Sequence, residues 1–200
     1  TTDSGTTLTS VNTTNGDISV TVDGGDLIIA LIDADLTVDN SDQNAVTLTT
    51  QNSGNFIIND SINVANTGTN GDADISITSA GLILGSNGNN VDIVNDGDVT
   101  ITSALSVGTN SGNGLEIRTG TSNSLSVTSN GGGVFMEHIP GANDDSISVT
   151  LNAAGGALSF TSNSDVTLTD IDAFGAAAIT VTADDGRDLT VLVGDIDASP

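Results

Sequence analysis

The sequence predicts an all-β fold, a parallel β-solenoid, on three observations. A degenerate unit of about 27 residues recurs along the 200-residue chain. Each unit holds up to three short runs rich in Val, Ile and Thr, separated by Gly, Asn and Asp, as expected of strands and turns. Aromatic residues make up 2% of the chain, with no Trp or Tyr, so Val, Ile and Leu must fill the core in thin layers. We expect about seven coils with three short strands per coil, in one domain covering residues 1–200.

The first run of each unit supplies the repeat. Its inward residues are expected to stack as Ile18, Val46, Ile75, Val99, Leu125, Ile147 and Ile179, beside a second column of Val20, Leu48, Ile77, Ile101, Val127, Val149 and Val181. Successive parallel coils lie about 4.8 Å apart. A β-sandwich is the alternative, because strands every 8 to 12 residues or so also suit that fold. The missing Trp and Tyr, and the persistence of the runs, favour the solenoid.

The ends of the chain show no capping segment in the sequence. Uncapped strand edges pair readily with other strands. We therefore expect either a segment of a longer repetitive protein or a unit that stacks on copies of itself.

The charge balance excludes several classes of partner. The formal net charge is −24, from 26 acidic residues against two basic ones, Arg118 and Arg187. Such a chain repels phosphate backbones and anionic membrane surfaces, so we expect no nucleic-acid partner. The absence of Cys excludes disulfides and thiolate metal sites. No apolar run is long enough to predict a transmembrane segment.

The outward positions of the first run form a hydroxyl array. Ser or Thr comes first and Thr second in every unit, and the second column is Thr21, Thr49, Thr78, Thr102, Thr128, Thr150 and Thr182. The high β-propensity of Thr on a solvated face is one explanation. The other is a binding surface for ice or glycans, because the array resembles the T-x-T faces of β-solenoid ice-binding proteins.

A second outward file is apolar. It includes Ile28, Ile57, Ile83 and Phe135. An exposed apolar stripe of this kind predicts a packing surface for a partner or a neighbouring rod. A register in which these residues point inward is the alternative.

Pairs of aspartates recur where coils are expected to turn. The pairs that we treat as candidate weak calcium ligands are Asp33 and Asp35, Asp72 and Asp74, Asp96 and Asp98, and Asp195 and Asp197. Carboxylates two residues apart in a turn can bind Ca²⁺. Asp also forms turns by bonding to its own backbone, which is the competing explanation.

No catalytic signature appears in the sequence. Arg118 lies beside Glu116, and His138 follows Glu137 in an irregular segment, but no nucleophile and base converge. We expect His138 to be a surface residue in a turn, and we expect no enzymatic activity.

The Ile-x-Val-Thr coils, rich in Thr, Ser, Asn, Gly and Asp, resemble filamentous-haemagglutinin-like repeats and other parallel β-helix adhesins of bacterial surfaces. The resemblance extends over nearly the whole chain and includes no diagnostic motif. It implies an extracellular rod used as a stalk, fibre or surface-layer element, with calcium as a candidate stiffening ion. Like rods, further copies of the chain or cell-surface glycans would be its partners. A ligand-binding solenoid that uses the Thr array, or a polysaccharide-active enzyme, is the alternative function.

Overall fold

The fold is an all-β parallel solenoid, as predicted. The computed structural model describes residues 5–13, 16–34, 45–64, 74–86, 91–110, 113–120, 123–140, 146–174, 178–184, 186–192 and 196–197. Every strand in these ranges pairs in parallel, and none of the described residues is helical. No described segment is therefore a helix that could cross a bilayer.

Two sheets face each other across the core. Sheet A contains β1 (Thr6–Leu8), β2 (Val11–Asn12), β4 (Leu27–Asp33), β6 (Phe56–Val64), β8 (Ile83–Leu84), β9 (Ile93–Asn95), β11 (Leu115–Arg118), β13 (Val134–His138), β15 (Leu158–Ser162) and β17 (Ile179–Ala183). Sheet B contains β3 (Ile18–Asp23), β5 (Val46–Gln51), β7 (Ile75–Ser79), β10 (Val99–Ser103), β12 (Ser124–Ser129), β14 (Ser146–Ala153), β16 (Asp165–Ala173), β18 (Leu189–Val191) and β19 (Ile196–Asp197). The chain alternates between the two sheets as it winds.

The coil count and the strands per coil differ from the prediction. Along the main path of each sheet, six strands have a neighbour on both sides, which gives about six enclosed turns rather than seven. Most turns contribute one strand to each sheet, and some contribute two short ones, as with β8 and β9 in sheet A and β18 and β19 in sheet B. The expected second and third runs are one continuous strand in β6, so three strands per coil is wrong for most of the rod.

Stacked aliphatic side chains form the core. In sheet B the predicted column is confirmed from Ile18 to Leu125, in register through five strands. In sheet A the column is Leu27, Phe56, Ile83, Val107, Val134, Leu158 and Ile179. Nearly all of these side chains are buried. Burying one such side chain contributes about 1.5–3 kcal/mol, so the columns supply the main stabilisation.

The predicted column of sheet B fails beyond Leu125. Val149, and not Ile147, stacks on Leu125, a slip of two residues. Both residues point inward, so alternation along β14 allows either register. The turn decides between them: with this register Gly155 and Gly156 lie against Gly131 and Gly133, where a Cβ on Gly156 would be 2.5 Å from the Gly133 nitrogen.

The run that begins at Ile179 lies in the other sheet. It forms β17, which stacks on β15 in sheet A, whereas β16 takes the place in sheet B. Only Asn163 and Ser164 separate β15 from β16, so the chain passes directly to the opposite sheet. Ile179 and Val181 therefore belong to the sheet A columns.

A ladder of buried hydroxyl groups follows the corner where sheet B ends. Ser79, Ser103 and Ser129 stack in register, with Thr50 beside Ser79 at 3.2 Å between the hydroxyl oxygens. Ser79 Oγ lies 3.1 Å from the Gly54 carbonyl and accepts the Gly81 N–H at 3.2 Å. These hydroxyls form hydrogen bonds with backbone groups of the turns that are buried away from water. Each such bond stabilises the fold by about 1 kcal/mol.

Candidate functional site

The hydroxyl array covers the outer face of sheet B. Thr21, Thr49, Thr78, Thr102 and Thr128 stack in register across five coils, as predicted. These five side chains are exposed or half-buried. With coils about 4.8 Å apart, and alternate residues about 6.6 Å apart, the Ser and Thr columns form a regular grid of hydroxyl groups. Binding of ice or glycans by this grid stays a prediction.

The array ends earlier than the sequence indicated. Because β14 slips by two residues, Asn152 continues the Thr column, and Thr150 stacks on Ser126 one column away. Thr182 lies on sheet A, where it stacks on Thr161. At the far end Asp170 pairs with Thr150 and Asp172 with Asn152, so the hydroxyl face changes into an acidic one.

The apolar stripe is present, with Leu84 in the place predicted for Ile83. Ile28 stacks on Ile57, and Ile57 on Leu84, all three half-buried on the outer face of sheet A. Ile83 is fully buried, so its assignment to the stripe was wrong by one residue. Phe135 is half-buried on the same face. A one-residue error reverses the face of a strand residue, which is why a two-residue strand such as β8 is hard to place from sequence.

Aspartates at the corners bind backbone groups of the next coil. The Ala45 N–H donates to Asp17 Oδ1 at 2.9 Å, and the Ser124 N–H donates to Asp98 Oδ1 at 2.8 Å. The Asp98 N–H in turn donates to Asp74 Oδ1 at 3.2 Å. These bonds join successive coils, so the recurrent Asp residues act as links between turns of the rod.

The candidate calcium pairs can be placed only in part. Asp35, Asp72 and Asp195 lie outside the described residues, and of Asp197 only the backbone is described. Asp33 accepts a hydrogen bond from the Asn63 amide at 3.4 Å, and Asp96 precedes Asp98 at a corner. Among the described side chains, no three acidic or histidine groups converge in a way that could hold a metal ion. Calcium binding stays a prediction.

A pocket of about 370 Å³ interrupts the regular surface of sheet A. In the coil of β6 the strand runs unbroken, whereas the next two coils leave the sheet after Leu84 and after Val107. Residues 85–86, 109–110 and 113 thus lie beside β6. The lining consists of Ile57, Asn59, Leu84, Gly85, Ser86, Thr109 and Asn113.

Two local features fix the chain at the positions where these coils leave the sheet, Gly108 and Ser86. Gly108 has φ +68°, and a Cβ there would lie 2.5 Å from the Phe135 carbonyl oxygen, so only glycine fits this loop stem. The other loop is held by Asp92, which is 0% exposed. Its Oδ1 accepts the Ser86 N–H at 2.5 Å, and its Oδ2 accepts the Glu116 N–H at 2.9 Å.

Three carboxylates stack in successive coils on this side, a feature that sequence reasoning missed. Ile93 pairs with Ile117, which sets Asp92 opposite Glu116, and Glu116 pairs with Glu137. Burial raises the pKa of Asp92, although backbone hydrogen bonds oppose this. Burial also raises the pKa of Glu116, with the charges of Asp92 and Glu137 adding to it. The sequence did carry a signal for this column, because an acidic residue lies at the centre of each of the three short segments 91–93, 115–117 and 136–138.

Arg118 lies two residues after Glu116 in β11. Its Nε is buried and has no hydrogen-bond partner among the described residues. The absence of catalytic activity stays a prediction.

His138 lies inside the rod, so its expected position on the surface was wrong. It is 1% exposed in β13 and continues the stack of Ile62, Ile93 and Ile117. Its Nε2 lies 3.2 Å from Thr119 Oγ1, and its Nδ1 lies 3.1 Å from Ser162 Oγ. These hydroxyls on the two adjoining coils match a neutral imidazole, and desolvation by burial lowers the pKa of His138 to about 4.

We expect His138 to weaken the fold in acid. Its pKa is about 4 when folded and about 6.5 when unfolded, so the unfolded chain binds the proton more tightly. The neutral imidazole contributes its full share to the free energy of unfolding above about pH 6.5. That contribution declines as the pH falls and is lost at about pH 4. The total is roughly 3 kcal/mol.

The measurement is the free energy of urea unfolding of wild type and His138→Gln between pH 4 and pH 7.5. Glu137, Glu116 and Asp92 are common to both proteins, and a raised carboxyl pKa acts in the opposite direction, so the difference between the two curves isolates the imidazole. Parallel curves for the two proteins would contradict the prediction.

Comparison with known proteins finds no matching family model, no matching curated protein and no matching solved structure.

Proposed function

We propose that this chain is an extracellular structural and adhesive rod, a stalk, fibre or surface-layer element of a microbial surface protein. The observation that carries the proposal is the run of stacked columns, apolar inside and hydroxyl-bearing outside, that continues in register from coil to coil. Each turn buries its residues against the turns on either side, as in other quasi-one-dimensional repeat folds. A rod of this kind gains length by adding turns.

Bonds between coils support a mechanical role. In the central coils the corner aspartates and the buried hydroxyl ladder join successive turns in addition to the sheet hydrogen bonds. Such a rod needs no disulfide to persist outside a cell. Its surface charge keeps rods apart in solution, and a divalent cation such as calcium would reduce that repulsion.

The edge at β18 supports growth by stacking. Leu189 and Val191 continue the core columns of Val166 and Leu168, yet they are 43% and 48% exposed. Unpaired strand edges with apolar side chains pair with further strands. A further copy of the chain would cover this edge.

Electron microscopy of the purified chain, in calcium and in chelator, tests this proposal. We expect filaments or rows one rod wide, because head-to-tail contacts along the axis of a rod build open filaments rather than rings. Val191→Asp places a charge in the exposed end of the core column and should shorten or abolish the filaments. Thr190→Asp adds the same charge on the outer face of the same strand and should not. Discrete monomers of the wild type under both conditions would overturn the proposal.

A further inference from the structure

We propose that the pocket beside β6 binds one neutral pyranose unit of an uncharged glycan. The inference rests on the adhesive part of the proposed function and gives it a site and a ligand class. The pocket is the place where two successive coils abandon the repeat, while the neighbouring coil keeps it. Loops held on a rigid scaffold are where binding sites concentrate. Its volume of about 370 Å³ lies at the small end of the range of about 300–1,000 Å³ for ligand sites.

The lining matches a sugar ring. Ile57 and Leu84 stack on adjacent coils and form an aliphatic floor for the C–H face of the ring. Asn59, Asn113 and Thr109 are exposed around it and bring amide and hydroxyl groups. These groups both donate and accept hydrogen bonds, as sugar hydroxyls do.

Charge selects a neutral ligand. None of the described side chains that line the pocket is ionisable. The chain carries a net charge of −24, which repels an anionic sugar. A cation finds no carboxylate among the described lining residues, and Asp92, which holds Ser86, is buried and accepts two backbone N–H groups.

Hydrogen bonds hold the described lining residues of the pocket before the ligand arrives. The Thr109 N–H donates to the Asn113 carbonyl at 3.3 Å, and the Asn113 N–H donates to the Asn110 carbonyl at 3.0 Å, so the backbones of these three residues are tied to one another. Asp92 Oδ1 accepts the Ser86 N–H on the other side of the pocket. Little ordering is then needed on binding, which favours affinity for a small ligand.

The test is a titration of the ¹⁵N-labelled full chain with three probes, followed by amide chemical shifts. The probes are methyl β-galactopyranoside, methyl β-N-acetylglucosaminide and the anionic N-acetylneuraminic acid. We expect saturable shifts at Ser86, Thr109 and Asn113 with at least one neutral probe, at a Kd of roughly 1–10 mM. The anionic probe should bind at least about tenfold more weakly.

Variants locate the site. Asn113→Trp fills the pocket from an exposed position and should weaken binding at least tenfold, as should Thr109→Trp independently. Asn130→Trp, at an exposed corner outside the pocket, should bind as wild type does. Absence of saturation with both neutral probes at about 100 mM, or shifts that survive both pocket variants, would overturn the inference. Filament formation reports separately on the rod, so either proposal can fail while the other stands.

Discussion

Phe56→Ala is expected to lower the free energy of unfolding by about 3–5 kcal/mol. Phe56 is fully buried and is among the largest side chains in a core that has no Trp or Tyr. It stacks between Leu27 and Ile83, so its removal opens a cavity that thin aliphatic layers cannot fill. Because each turn is stabilised by its neighbours, the loss should weaken the adjoining coils as well.

The measurement is urea unfolding followed by far-UV circular dichroism, since the chain lacks Trp and urea leaves the charge interactions unscreened. Phe174→Ala is the matched control, because Phe174 is 40% exposed, and it should cost less than about 1 kcal/mol. Phe56→Leu is a second variant for the case in which the alanine variant does not fold. It should lower the free energy of unfolding by about 1.5 kcal/mol or less. Equal losses for Phe56→Ala and Phe174→Ala would contradict the stacked core.

Gly54→Ala is expected to cost about 3 kcal/mol or more, the upper end for overpacking. A Cβ at this position would lie 1.9 Å from the Gly25 carbonyl oxygen on the preceding coil. The backbone at Gly25 cannot move aside as the end of a flexible side chain can. The same shift would disturb the Gly54 carbonyl, which accepts a hydrogen bond from Thr50 Oγ1 at 2.7 Å.

Gly186→Ala separates this steric cost from the conformational cost of replacing glycine. Gly186 has φ +76°, and a Cβ added there would have nothing within 4 Å, so the variant meets backbone strain of about 1–2 kcal/mol and no clash. Both proteins are compared by the same urea unfolding. If Gly54→Ala costs no more than Gly186→Ala, the coils are not packed at the corner as closely as described.

The sequence was a good guide to the sides of the strands and a poor guide to their partners. Period-two alternation placed Ile18, Val46 and Ile75 inside and the Thr column outside, and both predictions are confirmed for the first five strands of sheet B. The same reasoning placed Ile147 in a column that Val149 occupies. Alternation cannot detect a slip of two residues, because such a slip leaves every side chain on its own face.

The site was less accessible to sequence reasoning than the fold. The carboxylate column requires that Asp92, Glu116 and Glu137 occupy the same position in successive coils, and irregular loops separate them along the chain. His138 was taken for a turn residue because it precedes Ile139 and Pro140, yet its neighbours in space are hydroxyls from the coils on either side.

Composition and local pattern were enough to predict a parallel β-solenoid with an aliphatic core, a hydroxyl face and acidic corners. These properties follow from strand geometry, in which the period of the pattern decides which side of the sheet each residue faces. Register, the assignment of β17 to sheet A, the burial of His138 and the pocket beside β6 were decided by tertiary structure. They depend on how turns such as Gly155–Gly156 pack against the preceding coil, and that contact joins residues more than twenty positions apart in the chain.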